Sequence, residues 1–481
     1  MYQFLKVFFI LLLATGTIAK ADDSIVKKYP DGAIYTGPLK KGLHHGMGTY
    51  SLPNGYEYTG TWVDGQIQGK GTAKYPDGTI YEGDFKAGKP FGNGEMKFLQ
   101  NRTYRGEWKD GIPNGTGILN LSDGSIYKGD FKNFKFHGSG KLISKEGHIF
   151  LGSWSNGKQN GEMFISYSDG SKYAGNMVDQ YPQGKGKLTL TTGLVYDGSW
   201  NQGKWNGMGE LSYPEVDECI EKNLEITKHK YEGLFKTGKR HGKGKMKYCT
   251  GDIYNGSYSE GKRNGQGVFK GNDGFVYQGN WLNDQMNGEG TITYPDDAIY
   301  VGSLEKGVLN GSGKMIYADN SSYEGDWENG AISGEGLYTY SNGVTYQGGF
   351  LDGRYEGSGQ LKDPSGYEYI GSWVQGKRHG QGKSSYPNGS TYEGRFENGQ
   401  RHGFGVLNEK TGYSYLGNWK NGQRDGKGVE NYESGSVYTG HLRNGKRSGH
   451  GTMKYNNGEI AIGNWLNGRL SNAKKRLIPK D

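Results

Sequence analysis

Several sets of side chains in this sequence have types and spacings that could do chemistry. The stretch Lys377–Ser384 closes on Gly382-Lys383-Ser384, the ending of a glycine-rich loop that cradles phosphate with backbone amides. Such a loop needs a glycine where Lys377 stands, so nucleotide binding is not expected. Five histidines, His45, His137, His241, His379 and His402, would suit proton transfer if acids or nucleophiles converged on them. No His/Asp/Ser set or carboxylate pair stands apart from the periodic background, and no catalytic residues are expected. Six arginines, Arg240, Arg263, Arg378, Arg401, Arg424 and Arg447, stand 23 residues or a multiple of 23 apart. Their planar forks bind carboxylate or phosphate bidentately, which makes them a candidate anion-binding edge. Two cysteines, Cys219 and Cys249, are too few for a zinc site without further ligands and form a candidate disulfide. Neither metal nor other cofactor is expected.

The elements that must position these residues come from a 23-residue ruler. An aromatic-x-Gly anchor recurs at Tyr35, Tyr58, Tyr81, Tyr104, Tyr127, Phe150, Tyr173 and Tyr196. It resumes at Tyr231 and runs in steps of 23 to Tyr438, with a degenerate copy at Ala461. That makes nineteen copies, with twelve extra residues between Tyr196 and Tyr231. With the aromatic residue as position one, a well-formed copy, residues 58–80, has Gly at three, eight, twelve, fourteen and twenty-one. Positions one, three and five alternate with polar neighbours, as do sixteen and eighteen, which is the period of a strand with one buried face. Asn-Gly at seven and eight, and Pro-Asp-Gly at nineteen to twenty-one, supply the turns of hairpins. The glycines at three and fourteen are expected to leave room for neighbouring rings.

On this ruler the candidate chemistry is periodic. Each of the five histidines sits at position eleven, where a structural role beside the hairpin tip is expected, and the six arginines sit at position ten. The edge opposite carries Asp at position twenty, as at Asp31, Asp77, Asp123 and Asp169. Position five holds Trp62, Trp108, Trp154, Trp200, Trp281, Trp327, Trp373, Trp419 and Trp465, alternating with smaller residues such as Phe85 and Phe131. Interdigitating plugs, duplication of repeat pairs, or a candidate aromatic binding face would each produce that alternation.

The motif resembles the MORN repeat, whose pattern stands nearly intact at Tyr392-Glu393-Gly394-Arg395-Phe396 with His402-Gly403-Phe404-Gly405. The resemblance covers roughly residues 29–470. It implies an all-β chain, an extended, twisted, single-layer antiparallel sheet of tandem hairpins, on the order of 180 Å long at ~4.8 Å per strand. Family members resembling this one act as protein–protein adaptors, and some are associated with anionic lipid.

Composition agrees. Glycine is 88 of 481 residues, hydrophobic residues are 32%, and aromatics supply 13%, with 37 tyrosines. That is too little for large globular cores and too aromatic for disorder. Lys6, the apolar run Val7–Ala14 and Ala19-Lys20-Ala21 read as a secretory signal peptide over residues 1–21. Removing Lys6 and Lys20 lowers the formal charge from +8 to +6, which does not point to nucleic acid.

The expected organisation is repeats over 22–213, an insertion over 214–230, repeats over 231–470 and a basic tail over 471–481. Seven Asn-x-Ser/Thr sequons, Asn101, Asn114 and Asn255 among them, matter only if the host glycosylates. The expected function is a non-enzymatic extracytoplasmic scaffold that binds a protein partner, or a second copy of itself, along its aromatic face. The alternatives are an anionic lipid or membrane-surface module, favoured by the arginine ladder, and a binder of glycan or glycolipid in the cell envelope.

Overall fold

A computed structural model describes residues 24–222 and 224–477, with side chains as far as residue 471. The signal peptide expected over 1–21 and the last four residues of the basic tail lie outside the described residues. The described residues divide into two compact units, one running to Pro214 with 236–238 and one of 215–235 with those from Lys239 onward. Each is an open antiparallel sheet in which strands pair with their neighbours in sequence, as the hairpin pattern requires, except that in the first copy Leu39–Lys40 and Leu43–His44 pair only with each other and Ile34–Gly37 pairs past them with Gly46–Ser51.

One copy explains the rest. The strand Glu57–Val63 pairs with Gln66–Lys74, placing Tyr58 opposite Ala73, Gly60 opposite Gly71 and Trp62 opposite Ile67. Between the last two pairs the second strand carries two extra residues, a bulge made possible by Gly69 at φ +81°. The strands are joined through Asp64 (φ +48°) and Gly65 (φ +84°), two left-handed residues in succession, the geometry of a type I′ turn. At the opposite end Asp77 accepts a hydrogen bond from the Thr79 amide, 2.9 Å. Asp31, Asp123 and Asp169 do the same for the residue two places on, so the aspartates at position twenty build turns.

The core is a pavement of tyrosine on glycine. The position-one ring folds flat over the backbone of positions three and fourteen. A Cβ on Gly117 would stand 2.6 Å from the Tyr104 ring, so nothing larger than glycine fits beneath it. The hydroxyl donates to the carbonyl at position four, as from Tyr81 to Asp84 at 2.9 Å. Where position five is aromatic, the tyrosines of its own and the preceding copy meet it edge-on: Tyr81 lies 5.0 Å from Phe85 and 5.0 Å from Trp108. In the unit that begins at 215, the insertion forms a short helix, Asp217–Glu221, whose Cys219 is bonded to Cys249 with the Cα atoms 6.1 Å apart. The insertion's ends are absorbed into the strands Lys204–Glu215 and Lys228–Lys236.

Candidate functional site

The sequence-identified residues lie elsewhere than their spacing alone suggests. Trp62, Trp108, Trp154, Trp200, Trp281, Trp327, Trp373, Trp419 and Trp465 are 4 to 7% exposed and form part of the core. Each indole donates to the carbonyl of a position-fourteen glycine in the preceding copy, as from Trp62 to Gly48 at 3.1 Å. A ligand could not stack on rings already enclosed on both faces. The packing explanation of their alternation describes these positions, for Phe85 and Phe131 are buried alike at 3%.

The arginine ladder also needs correcting, because its guanidiniums do not project from the hairpin edge. Arg240, Arg263, Arg378, Arg401, Arg424 and Arg447 are half-buried and lie over the tyrosine pavement. Arg401 sits 4.9 Å from the Tyr392 ring and 4.9 Å from Trp419, and Arg447 sits 4.5 Å from Trp465. The physical reason is the bulge. Two extra residues between positions ten and fourteen preserve the alternation, so position ten faces the same side as fourteen.

In other copies the same place is filled by flat or apolar side chains, such as Phe136 stacked 3.7 Å above Tyr127 and Tyr355 stacked 3.6 Å above Tyr346. The guanidinium therefore substitutes for a ring as the lid of a buried tyrosine. It also donates to the tip of the next copy: Arg378 to the Gly399 carbonyl at 2.8 Å and Arg424 to Gly445 at 3.0 Å.

The remaining candidates take other places in the hairpins. Lys377–Ser385 is a strand, and Ser384 is fully buried, so the phosphate-loop ending is no loop. His45 and His402 flank their hairpin tips, 3.6 Å from Asp64 and 3.1 Å from Glu397. Among the described residues no three His, Cys, Asp or Glu side chains converge on a place for a metal.

A different feature is concave. On the sheet face away from the tyrosines, in the unit ending at 214, a groove of about 1260 Å³ runs across the strands from Met47 to Leu151. Gly60, Gly71, Gly83, Gly94, Gly106, Gly117, Gly129 and Gly140 are among its lining residues, the line of positions three and fourteen. Positions two and fifteen form one wall, including Glu82, Glu95, Arg105, Ile118, Lys128 and Lys141. Positions four and thirteen form the other, including Thr61, Lys70, Asn93, Thr116 and Ser139.

The position-four acids of this wall are used internally, taking up amides that the bulge leaves free. Asp130 accepts from the Ser139 amide at 2.8 Å and Asp84 from Asn93 at 3.2 Å. The Lys70 ammonium first, and the Asn93 amide with it, hold the Asp84 carboxyl below its ordinary range against the opposing effect of burial. The sequence carried a signal for this groove that periodicity did not exploit: glycine at three and fourteen, bracketed on the other face by rows of mixed charge and exposed apolar residues.

The MORN repeat model matches residues 35–55, 58–80, 81–98, 104–126, 127–149, 150–172, 196–215, 231–253, 254–276, 277–298, 300–322, 323–345, 346–366, 369–391, 392–407, 415–437 and 438–460. The chain belongs to the MORN repeat family. Its repeat count by this measure is seventeen, not the nineteen expected from the aromatic-x-Gly anchor. The two unmatched copies depart from the pattern where packing is set. The copy at Tyr173 has Met177 at position five and Gln180 at position eight, and the last has Ala461 at position one.

No curated protein matches the sequence. Among solved structures, the TCP10 domain of Danio rerio CPAP in complex with a STIL peptide is 12% identical. That match covers 58% of this chain and 93% of that one, with a TM-score of 0.18. An inactive virginiamycin B lyase from Staphylococcus aureus, with quinupristin, is 11% identical over 64% and 96% of the two chains, with a TM-score of 0.11. PorZ of Porphyromonas gingivalis, a surface component of the type-IX secretion system, is 8% identical over 93% and 80%, with a TM-score of 0.12.

Proposed function

We propose that this MORN-repeat chain is a non-enzymatic, extracytoplasmic scaffold that holds a partner polypeptide in the groove lined by glycines and walled by positions two, four, thirteen and fifteen. The groove is the observation that carries the proposal. It crosses many strands, opens along its length, and mixes apolar side chains such as Ile118 and Leu151 with both signs of charge. A long channel of this kind suits an elongated ligand, a stretch of polypeptide, better than a small molecule. The opposite face, which the sequence suggested as the binding surface, is closed by its own tyrosines and lids. A non-enzymatic role is supported by the uniformity of the array, in which the histidines recur at position eleven and the aspartates at position twenty repeat one turn. Export is supported by the Cys219–Cys249 disulfide, since such bonds persist in oxidising compartments, and by the apolar N-terminal stretch.

One experiment tests these elements together. A photo-cross-linking amino acid replaces Ile118 in the full chain, produced from its own Met1, and in a control replaces Ile112, exposed outside the groove. Irradiation in the native host should give a discrete protein adduct from position 118 and none from 112, on a chain whose first residue is Asp22. Equal adducts from both positions overturn the groove. Lipid or glycan adducts alone would favour the membrane-surface or cell-envelope alternatives. A chain still beginning at Met1 overturns export.

A further inference from the structure

We propose that the groove selects a helix of ordered charge, with a basic end that lies over Glu82 and Glu95 and an acidic end that lies over Lys128 and Lys141. This rests on the groove reading just given and names the chemistry of its occupant. The wall of positions two and fifteen is continuous across six strands, because Glu82 stands opposite Glu95, Glu95 opposite Arg105, Arg105 opposite Ile118, Ile118 opposite Lys128 and Lys128 opposite Lys141.

Two of these pairs set like charges side by side, Glu82 with Glu95 and Lys128 with Lys141, an arrangement that weakens a sheet. Among the described residues none of the four is in an ion pair, whereas Lys70 on the facing wall is held by Asp84 at 2.9 Å. The acids of that facing wall, Asp84, Glu107 and Asp130, are not among the lining residues. The groove therefore presents an acidic end, a middle of Arg105 and the apolar Ile118, and a basic end, the two ends awaiting their complements.

The occupant's conformation follows from direction. A segment lying along the groove crosses the strands, whose amides and carbonyls are spent on one another in the ladder. It cannot add as a further strand, and a helix, which satisfies its own backbone, brings side chains at these spacings onto one face. The acidic and basic pairs are four strand spacings apart, about 19 Å. At ~1.5 Å per residue, a helix with basic residues at i and i+3, an apolar residue at i+10 and acids at i+14 and i+17 places each over its complement on one face.

Synthetic helical peptides of ~18 residues test the order of charge, with binding to the full chain read by fluorescence anisotropy across a salt series. The ordered peptide should bind, and a peptide of the same composition with interleaved charges should bind on the order of tenfold more weakly. The double variant Glu82→Arg, Glu95→Arg should lose the ordered peptide by a similar factor and gain a peptide whose basic end is replaced by glutamate. Glu82 is exposed and Glu95 half-buried, both on the face away from the tyrosine core, so the circular dichroism should be unchanged.

Equal binding of ordered and interleaved peptides, or no exchange of preference in the variant, overturns the proposal. If the position-118 adduct persists in the double variant, the groove reading stands and the order of charge falls alone. If the wild-type chain sediments as a dimer that the double variant dissociates, a second copy fills the groove and the helical partner is overturned.

Discussion

Arg424 differs from the other five arginines of the ladder in what it covers. Position sixteen of its copy holds Glu430, only 3% exposed, where other copies hold Leu119 or Leu211. The Arg424 guanidinium donates to the Glu430 carboxylate at 2.5 Å, the Tyr413 hydroxyl donates to it at 3.0 Å, and the Tyr432 hydroxyl donates to its other oxygen. Burial first, and the neighbouring carboxylate after it, push both hydroxyls upward.

Removing one partner of such a pair leaves a buried charge alone, which costs about 3–5 kcal/mol, whereas replacing both by apolar groups is close to neutral. Arg424→Leu should therefore destabilise strongly, Arg424→Leu with Glu430→Leu should recover most of the loss, and Arg447→Leu, with no buried acid beneath it, should cost little. Denaturant midpoints of the three variants decide this. If the single and double Arg424 variants are equally destabilised, the ion pair is not what the arginine supports.

Spacing put the arginines in one line, and that much was legible. Which side of the sheet they face was not, because it turns on counting the two extra residues between positions ten and fourteen. The same parity that placed Gly71 beneath Tyr58 would have placed position ten above it.

At the scale of the hairpin, the turn is the most legible element and also the one with visible exceptions. Asn at seven and Gly at eight point to a type I′ turn, and Asn398 and Gly399 adopt it at φ +50° and +85°. Three copies hold the second left-handed position without glycine: Phe134 at +57°, Gln180 at +79° and Asp284 at +71°. Phe134 is compensated by a ring stacked 5.7 Å away on Phe98, and Asp284 by bonds from Arg263. Gln180 is exposed. A side chain in this region costs roughly 1–2 kcal/mol, so Gln180→Gly should stabilise its hairpin by about that amount.

Hydrogen exchange of the amides in Lys172–Val178 and Tyr181–Thr189 would show it as slower local opening. Unchanged or faster exchange would mean that Gln180 makes a contact worth more than its strain. The groove was harder to foresee. Its floor is spelled out by glycine, but its second wall depends on the position-four acids, such as Asp130, folding back onto amides freed by the bulge. Neither the freed amide nor its acceptor is periodic in residue type.

Across the whole molecule, seventeen tyrosines share position one, and they set the response to alkali. Tyr58, Tyr277, Tyr300 and Tyr415 are fully buried, and burial, ahead of every other influence, pushes their hydroxyls up to about 12. Where arginine forms the lid its charge acts the other way, as Arg447 does on Tyr438, yet burial outweighs it and that hydroxyl too stands at about 12.

A phenol loses its proton to become an anion, and in an unfolded chain it does so near pH 10. Because the folded value is raised, the unfolded state releases protons first. The tyrosines' contribution is thus complete below about pH 10 and is lost as pH rises toward 12. Each copy adds its own loss, so the array should fail over a narrow alkaline interval rather than soften gradually.

Near-ultraviolet phenolate absorbance and far-ultraviolet circular dichroism, followed together through that interval, test the argument. The bulk of the phenolate signal should rise in step with the disappearance of the β spectrum. Phenolates that form completely near the ordinary value while the β spectrum persists would mean that the position-one rings are open to water, and the pavement that closes this face of the sheet would have to be abandoned.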